Sequence, residues 1–166
     1  MWWPAQEIIE SQAAQISERL KVPYFFGTAR KHAGEPYGNA VFTHLPVTAH
    51  RGYDVTVPGR EQRQCLYLSL HLAQDHPLNF FAVHLGTSYF ERRQKARRLI
   101  SPDVLGSEQH GSHRIVAGDF NEWTRGLATQ LLSTHMRSAA SASTSNAAQP
   151  TPASALSCTW SHLLRP

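Results

Sequence analysis

The stretch Arg114-Ile115-Val116-Ala117-Gly118-Asp119-Phe120-Asn121 decides how this chain is read. A short apolar run delivers a carboxylate and a carboxamide two positions apart, at the end of what reads as a strand over 113–117. Strand side chains alternate, so positions 119 and 121 are expected on the same side. An aspartate there can accept a proton from water or take a cation. An asparagine donates and accepts at once, which suits holding a water or a phosphate oxygen. The same two residues also make an ordinary Asx turn, so the stretch alone does not decide the chemistry.

Working outward, Phe80-Phe81-Ala82-Val83-His84-Leu85 places His84 at the end of another strand, over 78–84. A basic helix over 89–100 follows, carrying Glu91, Arg92 and Gln94. Further upstream, Tyr37-Gly38-Asn39-Ala40-Val41-Phe42 precedes Leu45-Pro46-Val47. Strands are also expected over 24–27, 39–44, 53–57 and 64–72. In the last of these, Leu66, Leu68, Leu70 and Leu72 form one apolar face. Gly34, Pro36 and Gly38 read as a loop, and Gln74-Asp75-His76-Pro77 as a turn. Before them, Ile9, Ala13, Ile16 and Leu20 form a helical stripe, with Pro4 in its first turn and Pro23 ending it. Another helix is expected around 126–133. Strands outnumber helices in a mixed order, which implies an α+β or layered fold.

The chain has 166 residues and suits one domain. Its body is expected over 1–137. Residues 138–157 are almost all Ala, Ser, Thr and Pro, and read as a flexible loop or tail. Residues 158–166 resume the domain. With 41% hydrophobic and 17% charged residues the chain is not wholly disordered, and no apolar run is long enough to span a membrane. Cys65 and Cys158 match no metal or disulfide spacing. The start shows no basic and apolar signal-peptide pattern but reads as truncated, so the location stays open, with the cytoplasm as the default. A net charge of +4 favours an anionic partner, and Arg92, Arg93, Lys95, Arg97 and Arg98 cluster on one helix. That tilts towards nucleic acid, although no aromatic and basic residues interleave along the sequence as in a stacking groove.

Three pieces in this order, YGNAVFTHLPV, VHLGTSYFERRQ and GDFN, resemble the endonuclease/exonuclease/phosphatase superfamily, the fold of deoxyribonuclease I. The resemblance covers roughly residues 8–135, and Thr159-Trp160 is similar to the family's Thr-Phe step. It implies a four-layered α/β/β/α sandwich of two mixed sheets, and divalent-metal-dependent hydrolysis of a phosphoester. Magnesium is the implied ion, with manganese as substitute. Asp119 would polarise or deprotonate the attacking water. Asn121 would hold phosphate or metal-bound water, His84 would bond a phosphoryl oxygen or support the leaving group, and Tyr37 and Asn39 would line the cleft. Asp119 and Asn121 are the implied metal ligands.

The family also uses a glutamate from an N-terminal Gln-Glu step and an Asp-His pair near its C-terminus. No aspartate follows Asp119, and His135 and His162 lack an acidic neighbour. Gln6-Glu7 looks like the first step, but its spacing from Gln12-Ala13-Ala14 places the true step before Met1. The chain therefore reads as the middle of such a domain, with its metal site impaired. The alternative is a non-catalytic anion-binding module or degenerate copy of the fold.

Overall fold

The computed structural model describes residues 12–72, 77–111, 113–122, 126–138 and 156–159. Helix α1 (Gln12–Leu20) stops at Lys21, whose φ of 55° breaks the helical path. Ser17 caps the exit, its hydroxyl donating to Val22 O at 2.7 Å. Ala13 is buried, but Ile16 and Leu20 are exposed, contrary to the expected stripe. The helix meets the described body through β1, so only one side of it is covered.

Strands β1 (Tyr24–His32) and β2 (Glu35–Phe42) form an antiparallel hairpin, in register from Tyr24↔Phe42 to His32↔Glu35. Its turn is Ala33-Gly34, with φ of 50° and 88°. Two positive φ values match the right-handed twist of the flanking strands. The loop expected at Gly34, Pro36 and Gly38 thus shrinks to two residues. Pro36 is tolerated within β2 because β2 pairs with β1 alone and loses no second ladder. At Gly38 a Cβ would overlap the carbonyl of Gly27 across the hairpin.

The second sheet runs in the order β3-β4-β5-β6-β8-β7. It comprises β3 (Val47–Asp54), β4 (Gln64–His71), β5 (Pro77–His84), β6 (Arg114–Asp119), β7 (Arg137–Ser138) and β8 (Leu156–Thr159). The first three are antiparallel, and the pairs β5–β6, β6–β8 and β8–β7 are parallel. Helix α2 (Tyr89–Leu99) and a short 3₁₀ turn (Glu108–His110) carry the chain from β5 to β6, and α3 (Leu127–Ser133) follows β6. The strand expected over 53–57 instead starts at Val47 and stops at Asp54. Its side chains are mostly exposed, so it shows no alternation to read, and Asp54 Oδ1 accepts the Thr56 N–H to begin a turn.

β4 is buried on both faces, where one apolar face was expected: Cys65, Tyr67 and Ser69 are as enclosed as Leu66, Leu68 and Leu70. The hairpin covers one face, packed so close at Gly27 that a Cβ there would meet Gln64 and stand 3.1 Å from Leu66 Cβ. Against the other face, Phe81, Val83, Leu85, Val116 and Phe120 pack with Ala96, Leu99, Ala128 and Leu132 of α2 and α3. The order is α1, hairpin, mixed sheet, then α2 and α3: the α+β layering the resemblance implies, with the hairpin sheet antiparallel. The Ala/Ser/Thr/Pro stretch lies largely outside the described residues, but Ser138 and Leu156-Ser157, at its edges, are strand residues. Gln6-Glu7, Gln74-Asp75-His76, Trp160 and His162 also lie outside them. No described helix is long and apolar enough to cross a membrane.

Candidate active site

β5 and β6 are parallel neighbours in register, Val83 opposite Gly118 and His84 opposite Asp119. Both strands end there and deliver His84 and Asp119 side by side. Gly118, at φ 144°, permits this: a Cβ would overlap Val83 O. The Asp119 carbonyl accepts the Leu85 N–H at 2.8 Å, closing the ladder just beyond.

Asn121 arrives by a turn, not by strand alternation as expected. It sits at φ 52°, a left-handed conformation asparagine tolerates. Its N–H donates to Asp119 Oδ1 at 2.8 Å, and its Nδ2 donates to Leu85 O at 2.5 Å. The Asx turn and the functional pair are therefore one object. The turn aims the carboxylate, and the Leu85 bond fixes the amide, leaving Asn121 Oδ1 as an acceptor.

His84 Nε2 lies 3.8 Å from Asp119 Oδ2. That is too long for a direct hydrogen bond, and one oxygen atom can contact both groups. His84 is about a quarter exposed and Asp119 about half. Burial, reinforced by the Arg63 guanidinium, holds His84 below the ordinary imidazole value, and Asp119 opposes this without reversing it. The imidazole is thus neutral at pH 7 and has one N–H to donate.

A second charged group adjoins His84. Glu61 accepts from Arg30 Nη2 at 2.5 Å and from Arg63 Nη2 at 2.6 Å. Arg63 is only 8% exposed, and its Nε and Nη1 are buried without a hydrogen-bond partner among the described residues. Tyr37 joins this group, its ring 4.8 Å from the Arg30 guanidinium and 5.9 Å from that of Arg63. Asn39 is spent differently: Nδ2 donates to Gln64 O at 3.0 Å and to Ala82 O at 3.2 Å, tying the hairpin to β4 and β5.

Behind the site, α2 buries an ion pair. Lys95 Nζ donates to Glu91, whose carboxylate lies against Gly86 in the loop after His84. Burial lowers the Lys95 pKa although Glu91 opposes it. Beyond Asn121, the buried Glu122 carboxylate accepts the N–H groups of Gly126, Ala128 and Thr129 and so caps α3. It also stands 3.8 Å from Arg92 Nε. The basic cluster of α2 is therefore divided: Lys95 is enclosed, Arg92 is half-buried, and Arg97 and Arg98 face outward.

Sequence reading named His84, Asp119 and Asn121, which converge, and Tyr37 and Asn39, which stand on the neighbouring hairpin. It passed over Arg30, Glu61, Arg63 and Glu122, and named Glu91 only as part of the helix motif, without its buried ion pair. The i,i+4 spacing of Glu91 and Lys95 was a usable signal. Nothing local marked Glu61 and Arg63, which precede β4 and meet Arg30 only through the tertiary fold.

For a divalent metal the donor chemistry is suitable: an exposed carboxylate on Asp119 and an amide oxygen on Asn121 are hard oxygen ligands. The number is small, since no group of three His, Cys, Asp or Glu side chains gathers among the described residues.

The layered α+β sandwich is the fold of a phosphoesterase-type superfamily. The chain belongs to the Endonuclease/Exonuclease/phosphatase family, whose sequence profile matches residues 5–164. Enzymes of this family are generally divalent-metal-dependent hydrolases of phosphoester bonds. The chain is 26% identical over 109 residues to the uncharacterised protein YbhP of Escherichia coli strain K12, and equally to that of Shigella flexneri. The match takes in 65% of this chain and 42% of the relative's length. A crystal structure of a conserved protein of unknown function from Enterococcus faecalis V583 shares the fold, with TM-score 0.56 and 15% identity, over 70% of this chain and 50% of that one.

Proposed function

We propose that this domain hydrolyses a phosphodiester at the His84–Asp119–Asn121 site. The observation that carries this is the in-register placement of His84 beside Asp119, with room for one shared oxygen. A water seated there gives its proton to the Asp119 carboxylate as its oxygen attacks phosphorus, the ester P–O bond opposite it breaks, and the departing alkoxide takes a proton from solvent. The neutral His84 N–H donates to a phosphoryl oxygen as negative charge builds there, and Arg63 adds positive potential beside it. Asn121, fixed by Leu85, orients the water or a phosphate oxygen. Magnesium, when bound, supplies charge neutralisation on the phosphate, with Asp119 and Asn121 as the described residues able to hold it. So few protein ligands give weak affinity, so activity should require millimolar magnesium.

The test is turnover of a chromogenic phosphodiester by the full chain across a magnesium titration and with chelator. The expected result is slow, chelator-sensitive turnover that Asp119→Ala abolishes. No turnover at any magnesium or manganese concentration, with retained binding of a phosphodiester analogue, would establish the non-catalytic anion-binding module instead.

A further inference from the structure

Helix α2 begins at the rim of this site. Arg92, in its first turn, donates to Thr87 O and stands 3.8 Å from Glu122, the residue after Asn121. The inward face of the helix is Glu91, Lys95, Ala96 and Leu99. Phe90, Arg93, Gln94 and Arg97 follow the spacing i, i+3, i+4, i+7 and so share the opposite face.

That face is unusual at its site end. Phe90 is 68% exposed and Tyr89 48%, and their rings meet edge to face, 5.5 Å apart at 85°. Neither ring belongs to the buried core. Arg93 and Arg97 follow, about 6 Å apart along the axis at four residues' separation. Neither has an acidic partner among the described residues. The helical period thus sets exposed rings and arginines end to end, Phe90 leading Arg93 and Arg97 along one stripe with Tyr89 beside it.

We propose that the outward face of α2 is a platform for the unpaired end of a nucleic-acid strand, a base stacking on Tyr89 and Phe90 and backbone phosphates meeting Arg93 and Arg97. This rests on the phosphodiesterase function and names its substrate class. The chemistry favours nucleic acid over a lipid surface. The apolar part is only two rings, every base offers a face to stack on them, and the cations follow at once along the same stripe in a chain of net charge +4. Stacking would carry no base preference, and the arginines would make binding salt-dependent.

The test is fluorescence anisotropy with the full chain in chelator, using a labelled thymidine 12-mer and an abasic oligomer of equal length. The wild-type chain should bind the base-bearing oligomer about tenfold more tightly, the scale of one stacked base. Tyr89→Ala/Phe90→Ala should remove that preference while leaving the abasic affinity, and Phe90→Trp should keep it. Arg93→Glu/Arg97→Glu should weaken both oligomers and flatten the salt dependence. Equal binding of the two oligomers, or an unchanged preference in Tyr89→Ala/Phe90→Ala, would overturn the platform. So would binding to anionic phosphatidylserine vesicles, lost in that variant, with no oligomer binding. Because binding is read without turnover, the two proposals separate. Base-dependent binding by a chain that never cleaves a diester would end the catalytic proposal and keep this one. Diester cleavage without base-dependent binding would end this one alone.

Discussion

The two ends of the β5–β6 pair treat polar groups in opposite ways. At the start of the strands, Asn79 is 2% exposed and fully used. Its Oδ1 accepts the Tyr67 hydroxyl at 2.7 Å, and its Nδ2 donates to the carbonyls of His110 and His113. His110 is enclosed by Tyr53, Tyr67 and Phe81, with the Tyr53 hydroxyl 3.1 Å from its Nε2. At the other end, His84 and Asp119 are partly open, lie 3.8 Å apart and keep polar atoms unspent. The closed end is built for cohesion, since a satisfied buried network holds the sheet to the 3₁₀ turn. The open end keeps hydrogen-bonding capacity for something outside the chain.

The comparison breaks first at Asp119. Asp119→Ala should reduce phosphodiester turnover by roughly 10²–10⁴-fold, with stability changed by no more than about 1 kcal/mol. Kinetics beside a denaturant melt would show it, and a large loss of stability would make the open end structural too. His84→Ala should follow the same pattern through lost stabilisation of the phosphoryl oxygen.

The mirror experiment is Asn79→Ala. It strands the Tyr67 hydroxyl and the His110 carbonyl in a closed interior, while the His113 carbonyl keeps the residue 79 N–H, at a cost of about 2–4 kcal/mol. Turnover per folded molecule should hardly move. Unfolding midpoints together with active-site titration would separate the two quantities.

Glu122→Ala tests a residue between these extremes, adjacent to the site yet used as a helix cap. Losing three backbone donors' partner should destabilise by about 1–2 kcal/mol. The measured melt should fall by more than in Asp119→Ala, with a smaller fall in rate.

The smallest expected effect is one of pH. Burial, then Arg114 and Arg51, hold His110 below the ordinary imidazole value. The unfolded chain therefore takes up the proton first. Stability is full above the unfolded value, near 6.5, and declines as pH falls from there towards the lowered folded value. His84 is shifted the same way and adds to the decline. Melting temperatures between pH 8 and 5 should trace it, and His110→Phe should flatten the slope.

How much was legible follows the same division. GDFN and VHL could be read because a strand ends, a turn begins, and the chemistry sits within a few residues. The layered α+β class was legible from the excess of strands and their mixed order, although β4, read as apolar on one face, proved buried on both. β3 was misplaced because an exposed strand carries no apolar alternation. Pro36 and Gly38 were read as loop because their tolerance depends on β2 having a single partner. Arg63 and Glu61 could not be found at all, since their meeting with Arg30 and their place beside His84 exist only once the hairpin packs on β4.

The position of β8 has a consequence in time. The strand that bears Asp119 is flanked on one side by β5, made early, and on the other by β8, roughly 40 residues further along the chain. At about 5–20 residues per second, a ribosome delivers β8 some seconds after Asp119 has emerged. For that interval β6 is an open border, exposing unpaired N–H and C=O groups to any other extended segment nearby. The β6 border is thus closed late in synthesis, and the nascent chain is most vulnerable to mispairing at the strand that bears Asp119.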